Sequence, residues 1–124
     1  MPPKPSPALT DAEARVMAVL WRTRAASVAD VVEALKETTP VSYSTVQTIL
    51  RILETKGYVT HEKIARAFVY HVVIDERQAR KRALRHLVGR MFNGSASLLV
   101  LNVLDDEELD DDERARVRQL IERA

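Results

Sequence analysis

Cysteine is absent from this 124-residue chain, which rules out disulfides and thiolate-bound metal sites. Glycine is scarce, three residues in all, and the glycines nowhere gather into a phosphate-cradling loop. No run of about 18 apolar residues occurs, the length a membrane-crossing helix needs. The opening Met-Pro-Pro-Lys-Pro-Ser-Pro lacks the apolar core of a signal peptide, so residues 1–8 read as a proline-rich, disordered leader. A cytoplasmic protein is expected. The three histidines, His61, His71 and His86, lie too far apart for a compact local metal motif. Glu62 neighbours His61 on an expected strand, where adjacent side chains point to opposite faces. With no Ser or Cys nucleophile motif either, neither catalysis nor a cofactor is expected.

What the chain does have is 46% apolar and 30% charged residues. That suffices for a modest core, of the size that often gains stability from a partner subunit. The formal net charge of +1 hides an asymmetry. Residues 1–93 hold 15 Lys plus Arg against 9 Asp plus Glu, whereas residues 94–124 hold 4 against 9. A basic front part suits a polyanion.

The stretch Val41–Gly57 has a helix start, stripe and stop. Ser42 can accept from an orphan amide of the first turn, and Gly57 can supply the left-handed residue past the end. Val46, Ile49, Leu50 and Leu53 share one face. Ser44, Thr48, Arg51 and Thr55 lie opposite, with Thr45 and Gln47 on the flanks. A merely solvated face tends to carry longer charged side chains in i,i+4 pairs. Short hydroxyls, an amide and one guanidinium can instead approach base edges and phosphates closely.

Earlier in the chain, Thr10-Asp11-Ala12-Glu13 forms a capping box. Val16, Met17, Leu20 and Trp21 then make the stripe of a helix over about Asp11–Arg22, with Trp21 as a core anchor. Arg24-Ala25-Ala26 is a short link or one-bridge strand. Ser27 opens a second helix striped by Val28, Val31, Val32 and Leu35, which must stop before Pro40. Two helices joined by a short turn, the second polar outside, give a helix-turn-helix. β-Branched and aromatic residues then predict a hairpin, Tyr58–Lys63 and Ala67–Val72. This is the wing of a winged helix-turn-helix, with Lys63 and Arg66 near its tip, where cations meet phosphates.

Asp75-Glu76-Arg77-Gln78 caps a long helix to about Phe92, with Arg77, Arg80, Lys81, Arg82, Arg85 and Arg90 spread around it. Such cations read as a solvated face more readily than as a DNA-lining one. Ser97–Leu104 is almost wholly apolar, and Asp110 with Glu113 caps a last helix striped by Val117, Leu120 and Ile121. These short apolar helices have no further chain to cover them. A second copy is the economical cover, through Leu98, Leu99, Leu101, Val103, Leu104, Leu109, Val117, Leu120 and Ile121. The expected architecture is therefore mainly α with a small β-hairpin: a leader at 1–8, a winged helix-turn-helix domain at 9–74 and a helical dimerisation region at 75–124.

These blocks resemble the penicillinase repressors of the BlaI/MecI/CopY type. The resemblance rests on Leu9-Thr10-Asp11 through Val19-Leu20-Trp21, on Ser44-Thr45-Val46-Gln47-Thr48 through Leu53 and Lys56-Gly57, on Thr60-His61-Glu62-Lys63 with Phe68-Val69-Tyr70, and on Leu99-Val100-Leu101-Asn102. It implies a homodimeric repressor of antibiotic-resistance or related stress genes, bound to an inverted-repeat operator in double-stranded DNA. The recognition positions it implies are Ser44, Thr45, Gln47, Thr48 and Arg51. It further implies relief of repression by a membrane sensor protease cutting in the dimerisation region. The matching bond here is Asn102–Val103, where β-lactam-responsive members have Asn-Phe. The copper-responsive branch needs cysteines that this chain lacks. The family's wing turn usually carries glycine; Ile64-Ala65 stands there instead. The alternative to a DNA reader is a winged-helix protein-interaction module, though such modules usually lose both the basic front part and the small polar face.

Overall fold

The computed structural model describes residues 8–124, so the expected leader lies outside the described residues except for Ala8. The chain divides into two compact units, residues up to Ala83 and residues 84–124.

In the first unit, Thr10 caps helix α1 (Asp11–Thr23) through the expected capping box. Its buried face is Val16, Met17, Val19 and Leu20. Trp21 packs against the core, and its indole Nε1 donates to the Ile74 carbonyl oxygen at 3.0 Å. Arg24 ends α1 at φ 71. The link after it is more than a single bridge. Ala25–Ser27 forms strand β1, paired at three positions with a later strand. Ser27 ends β1 and caps α2 (Val28–Leu35). The second helix stops well short of Pro40, because the amides of Thr38 and Thr39 both turn back to the Leu35 carbonyl oxygen, at 3.2 and 3.0 Å.

Helix α3 (Tyr43–Thr55) starts at Ser42, whose hydroxyl accepts from Thr45 N. It ends in a Schellman arrangement. Gly57 N donates to the Glu54 carbonyl oxygen and Tyr58 N to that of Leu53, while Gly57 takes φ 86. Tyr58 and Leu53, both fully buried, supply the apolar contact of that motif. Tyr58 thus belongs to the helix stop, and the wing begins one residue later than the sequence predicts.

Strands β2 (Val59–Ile64) and β3 (Ala67–Val72) pair antiparallel from Val59↔Val72 to Ile64↔Ala67. With β1 they form a three-stranded sheet in the order β1-β3-β2, one strand more than the predicted hairpin. Ala65 and Arg66 alone make the loop. Ala65 holds φ 56, which costs an L-residue about 1–2 kcal/mol. Ala65→Gly removes that strain and adds some chain entropy. The expected result is a stabilisation of about 0.5–1 kcal/mol, read from the urea midpoint.

One cluster of buried side chains joins α1, α2, α3 and the sheet, and its last member is Ala79. Ala79 lies on α4 (Glu76–Met91), started by Asp75, whose carboxylate accepts from Gln78 N at 2.8 Å. Arg82, three residues on, lies over the Tyr58 ring, 5.4 Å from its centroid. The first half of α4 is thereby tied to the first unit.

The second unit holds α5 (Ala96–Leu104), capped by Ser95, and α6 (Asp111–Arg123), capped by Asp110. Arg114 closes the loop between them. Its guanidinium donates to the carbonyl oxygens of Leu104 at 2.8 Å and Asp106 at 3.0 Å. From Leu84 onward no residue is buried.

Candidate nucleic-acid interface

Helix α3 is two-sided because its sequence is. Val46, Leu50 and Leu53 are fully buried and Ile49 nearly so. Opposite them Ser44, Thr45, Thr48, Arg51 and Thr55 are exposed, and Gln47 is half-buried on the flank. Two of the hydroxyls are already committed. Thr48 Oγ1 donates to the Ser44 carbonyl oxygen at 3.0 Å, and Thr55 Oγ1 to that of Arg51 at 3.1 Å. Each therefore presents outward a methyl group and oxygen lone pairs, with its proton kept inside the helix. Ser42 Oγ donates to Thr45 Oγ1 at 2.9 Å, which frees the Thr45 proton for a partner. Arg51 and Gln47 supply the other donors.

The wing stands beside this face. Alternation along β2 puts Val59, His61 and Lys63 on one side of the sheet with their pair partners Val72, Tyr70 and Phe68. Val59 and Tyr70 are buried, so this is the side turned to the helices. Lys63 thus projects on the helix side near the tip, and Arg66 occupies the loop; both are exposed. Ile64, on the other side of β2, is half exposed. Glu62 also points that way, its carboxylate 2.8 Å from His71 Nε2. His61 faces α3, with Nδ1 2.6 Å from Glu54 Oε1. Burial pushes the Tyr70 phenol pKa up, the Glu54 carboxylate adds to the rise, and Arg51 opposes it. Tyr70 therefore stays uncharged near neutral pH and adds no negative charge beside Arg51.

Besides Glu62 with His71 and Arg82 over Tyr58, two further side-chain pairs in this unit have no counterpart in the sequence analysis. One is Glu54 with His61. The other joins Lys56, at the end of α3, to Glu13 in the first turn of α1, at 2.6 Å with both side chains almost fully buried. Lys56 Nζ also donates to the Ala8 carbonyl oxygen at 3.0 Å. No local signal marks such pairs, whose members belong to different elements.

The expected self-association residues all lie in the second unit except that none is buried there. Leu98, Leu101, Val103, Leu120 and Ile121 are exposed, and Leu99, Leu104, Leu109 and Val117 are half-buried. An open apolar cavity of about 370 Å³ is lined by Leu84, Val88, Leu99, Val103, Val117 and Leu120, among others. The bond Asn102–Val103 lies inside α5, exposed, with Asn102 Nδ2 donating to the Leu98 carbonyl oxygen at 2.8 Å. Among the described residues no cluster of His, Asp and Glu could hold a metal ion, and no single helix is long and apolar enough to cross a membrane.

Three helices, a three-stranded sheet ending in a cationic wing, and a helix with a small polar outer face define a winged helix-turn-helix protein. Solved structures agree with that class. The DNA-binding domain of the repressor BlaI matches at 38% identity with a TM-score of 0.53, covering 61% of this chain and 93% of that one. The monomeric form of Bacillus licheniformis BlaI in complex with the blaP half-operator matches with a TM-score of 0.50 at the same identity and coverage. The chain belongs to the penicillinase repressor family, whose model matches residues 9–123. The penicillinase repressor of Bacillus licheniformis is 34% identical over 119 residues, covering 96% of this chain and 93% of the relative. The methicillin resistance regulatory protein MecI of Staphylococcus aureus strain N315 is 25% identical over 113 residues, covering 91% and 92%.

Proposed function

We propose that this chain is a homodimeric transcriptional repressor that reads an inverted-repeat operator, each subunit placing α3 in the major groove of one half-site and its wing on the adjacent backbone. The observation that carries this is the pairing of two surfaces. The short polar face of α3 stands next to a wing bearing Lys63 and Arg66, in a family of repressors one of which has been solved on a half-operator. Base preference comes from Ser44, Thr45, Gln47, Thr48 and Arg51, and most of the affinity from cations on phosphates. The genes controlled are of the β-lactam-resistance type or related stress genes.

Dimerisation runs through the second unit, where an apolar α5 and an apolar cavity exist without one buried residue. Relief of repression is proposed to follow cleavage of Asn102–Val103 by a membrane sensor protease, which would cut α5 itself. Because that bond is helical, cleavage requires α5 to unwind locally; exposed loops are the easier targets.

The test is selection of bound duplexes from random sequence, followed by titration at several salt concentrations. An inverted repeat should emerge, with affinity falling steeply as salt rises. Lys63→Ala should weaken operator and random DNA alike and lower the salt slope by about one, whereas Thr48→Ala should cost about 1–3 kcal/mol on the operator and relax preference at one base pair. Equal losses on both duplexes for Thr48→Ala would remove its reading role. Recovery of no preferred sequence would leave α3 as a fold element.

A further inference from the structure

Between α3 and the wing lies a polar junction that neither the reading face nor the core explains. Glu54 stands in the last turn of α3 and His61 is the third residue of β2; Glu54 Oε1 and His61 Nδ1 are 2.6 Å apart. A carboxylate only accepts, so the imidazole donates from Nδ1. The ring is held on its other sides by Phe68, with centroids 4.8 Å apart, and Tyr70, at 5.4 Å. Tilted contacts with these two rings thus fix His61 on the wing while the hydrogen bond reaches back to the helix. Arg51 and Tyr43 act on the same Tyr70 phenol electrostatically.

Glu54 and His61 are about a third exposed, and pairs of this kind add little to folding stability. Their leverage is geometric. The wing tip lies four residues beyond His61, about 13 Å along the strand, so a tilt of about 10° at His61 moves Lys63 and Arg66 by one to two ångströms. Hydrogen bonds to phosphate tolerate only a few tenths of an ångström around their preferred length. A loose junction would therefore let α3 and the wing engage DNA only one at a time.

We infer that Glu54 and His61 are positioning residues that set the wing's angle against α3, so that Lys63 and Arg66 reach the backbone in register with the reading face. This rests on the DNA-binding reading above. A different role predicts the opposite sign. As a plain negative charge near DNA, Glu54 would repel phosphates, and its removal would tighten binding to every duplex.

The experiment uses the full chain, an inverted-repeat duplex recovered by selection, a scrambled duplex, and the variants Glu54→Ala, Glu54→Gln, His61→Ala and Lys63→Ala. Melting temperatures should stay within about 5 °C of the unsubstituted protein. Glu54→Ala and His61→Ala should each weaken operator binding by about tenfold while leaving scrambled DNA unweakened. Glu54→Gln, whose amide oxygen can still accept from His61, should restore most of that loss. In the Glu54→Ala background, Lys63→Ala should cost less than half of what it costs alone, because a misaligned wing has little left to lose. Operator binding by Glu54→Ala as tight as that of the unsubstituted protein, or tighter, overturns the inference. So do penalties for Glu54→Ala and Lys63→Ala that multiply in full. If the unsubstituted protein selects no sequence, the DNA-binding reading fails on its own, and amide order parameters of residues 63–67 decide the positioning role. A fall in Glu54→Ala upholds it, and unchanged values overturn it.

Discussion

Lys56→Met is expected to destabilise the winged-helix unit by about 3–5 kcal/mol, the cost of leaving a buried charge without its partner. For a unit of this size that lowers the melting temperature by more than about 12 °C. The orphan would be Glu13. Its Oε1 accepts from the Thr10 amide at 3.0 Å and from Lys56 Nζ at 2.6 Å, inside a residue only 5% exposed. Capping alone does not need burial, and the buried position is tolerable because the ammonium is there. Methionine keeps the length of the stem and removes the charge, so the loss measures the ion pair and not a cavity. The double variant Glu13→Gln with Lys56→Met should recover most of the stability, since the Gln carbonyl can still accept from Thr10 without a charge to shelter. The check is thermal and urea unfolding of the four proteins in a double-mutant cycle. Additive losses would mean that the two side chains do not depend on each other.

Removal of residues 94–124 should give a folded monomer whose operator affinity is lower by about 100- to 10,000-fold, the advantage of holding two half-site readers in one molecule. The folding part of this expectation follows from where burial stops. Every buried side chain lies at or before Ala79, so the deletion takes nothing from the core. The affinity part follows from the proposed dimer. Sedimentation of the full chain and the truncated chain, with titration of each on one and on two half-sites, checks both parts separately. A truncated chain that binds the full operator as tightly as the intact protein would give the tail another purpose.

Much of this was legible in the sequence, for a local reason. The start of α3 at Ser42, its apolar stripe and its stop at Gly57 are written within one stretch, and the capping boxes of α1 and α2 are equally local. The wing declared itself through β-branched and aromatic residues. Its exact edge did not, because Ala65 takes a left-handed conformation without the glycine that would announce it. Strand β1 was hard to see since three residues carry too little pattern, and its pairing with β3 spans more than forty positions. Lys56 and Glu13 show the same limit more sharply. Glu13 was readable as a capping residue, yet the lysine that shares its carboxylate is 43 residues away, and no periodicity links them. At the interface the sequence supplied which side chains stand on α3. It could not say that two threonines would give their protons to their own helix.

That last arrangement bears on what kind of code α3 can read. In the major groove each base pair carries one exocyclic amino group, on adenine or on cytosine. On the proposed reading, Thr48, holding its proton inward, meets DNA as an acceptor for that amino group. Its oxygen would then sort a position by which strand bears the amino base, a division that puts adenine with cytosine and thymine with guanine. Separating thymine from guanine would then fall to the threonine methyl group, which finds a matching methyl only on thymine.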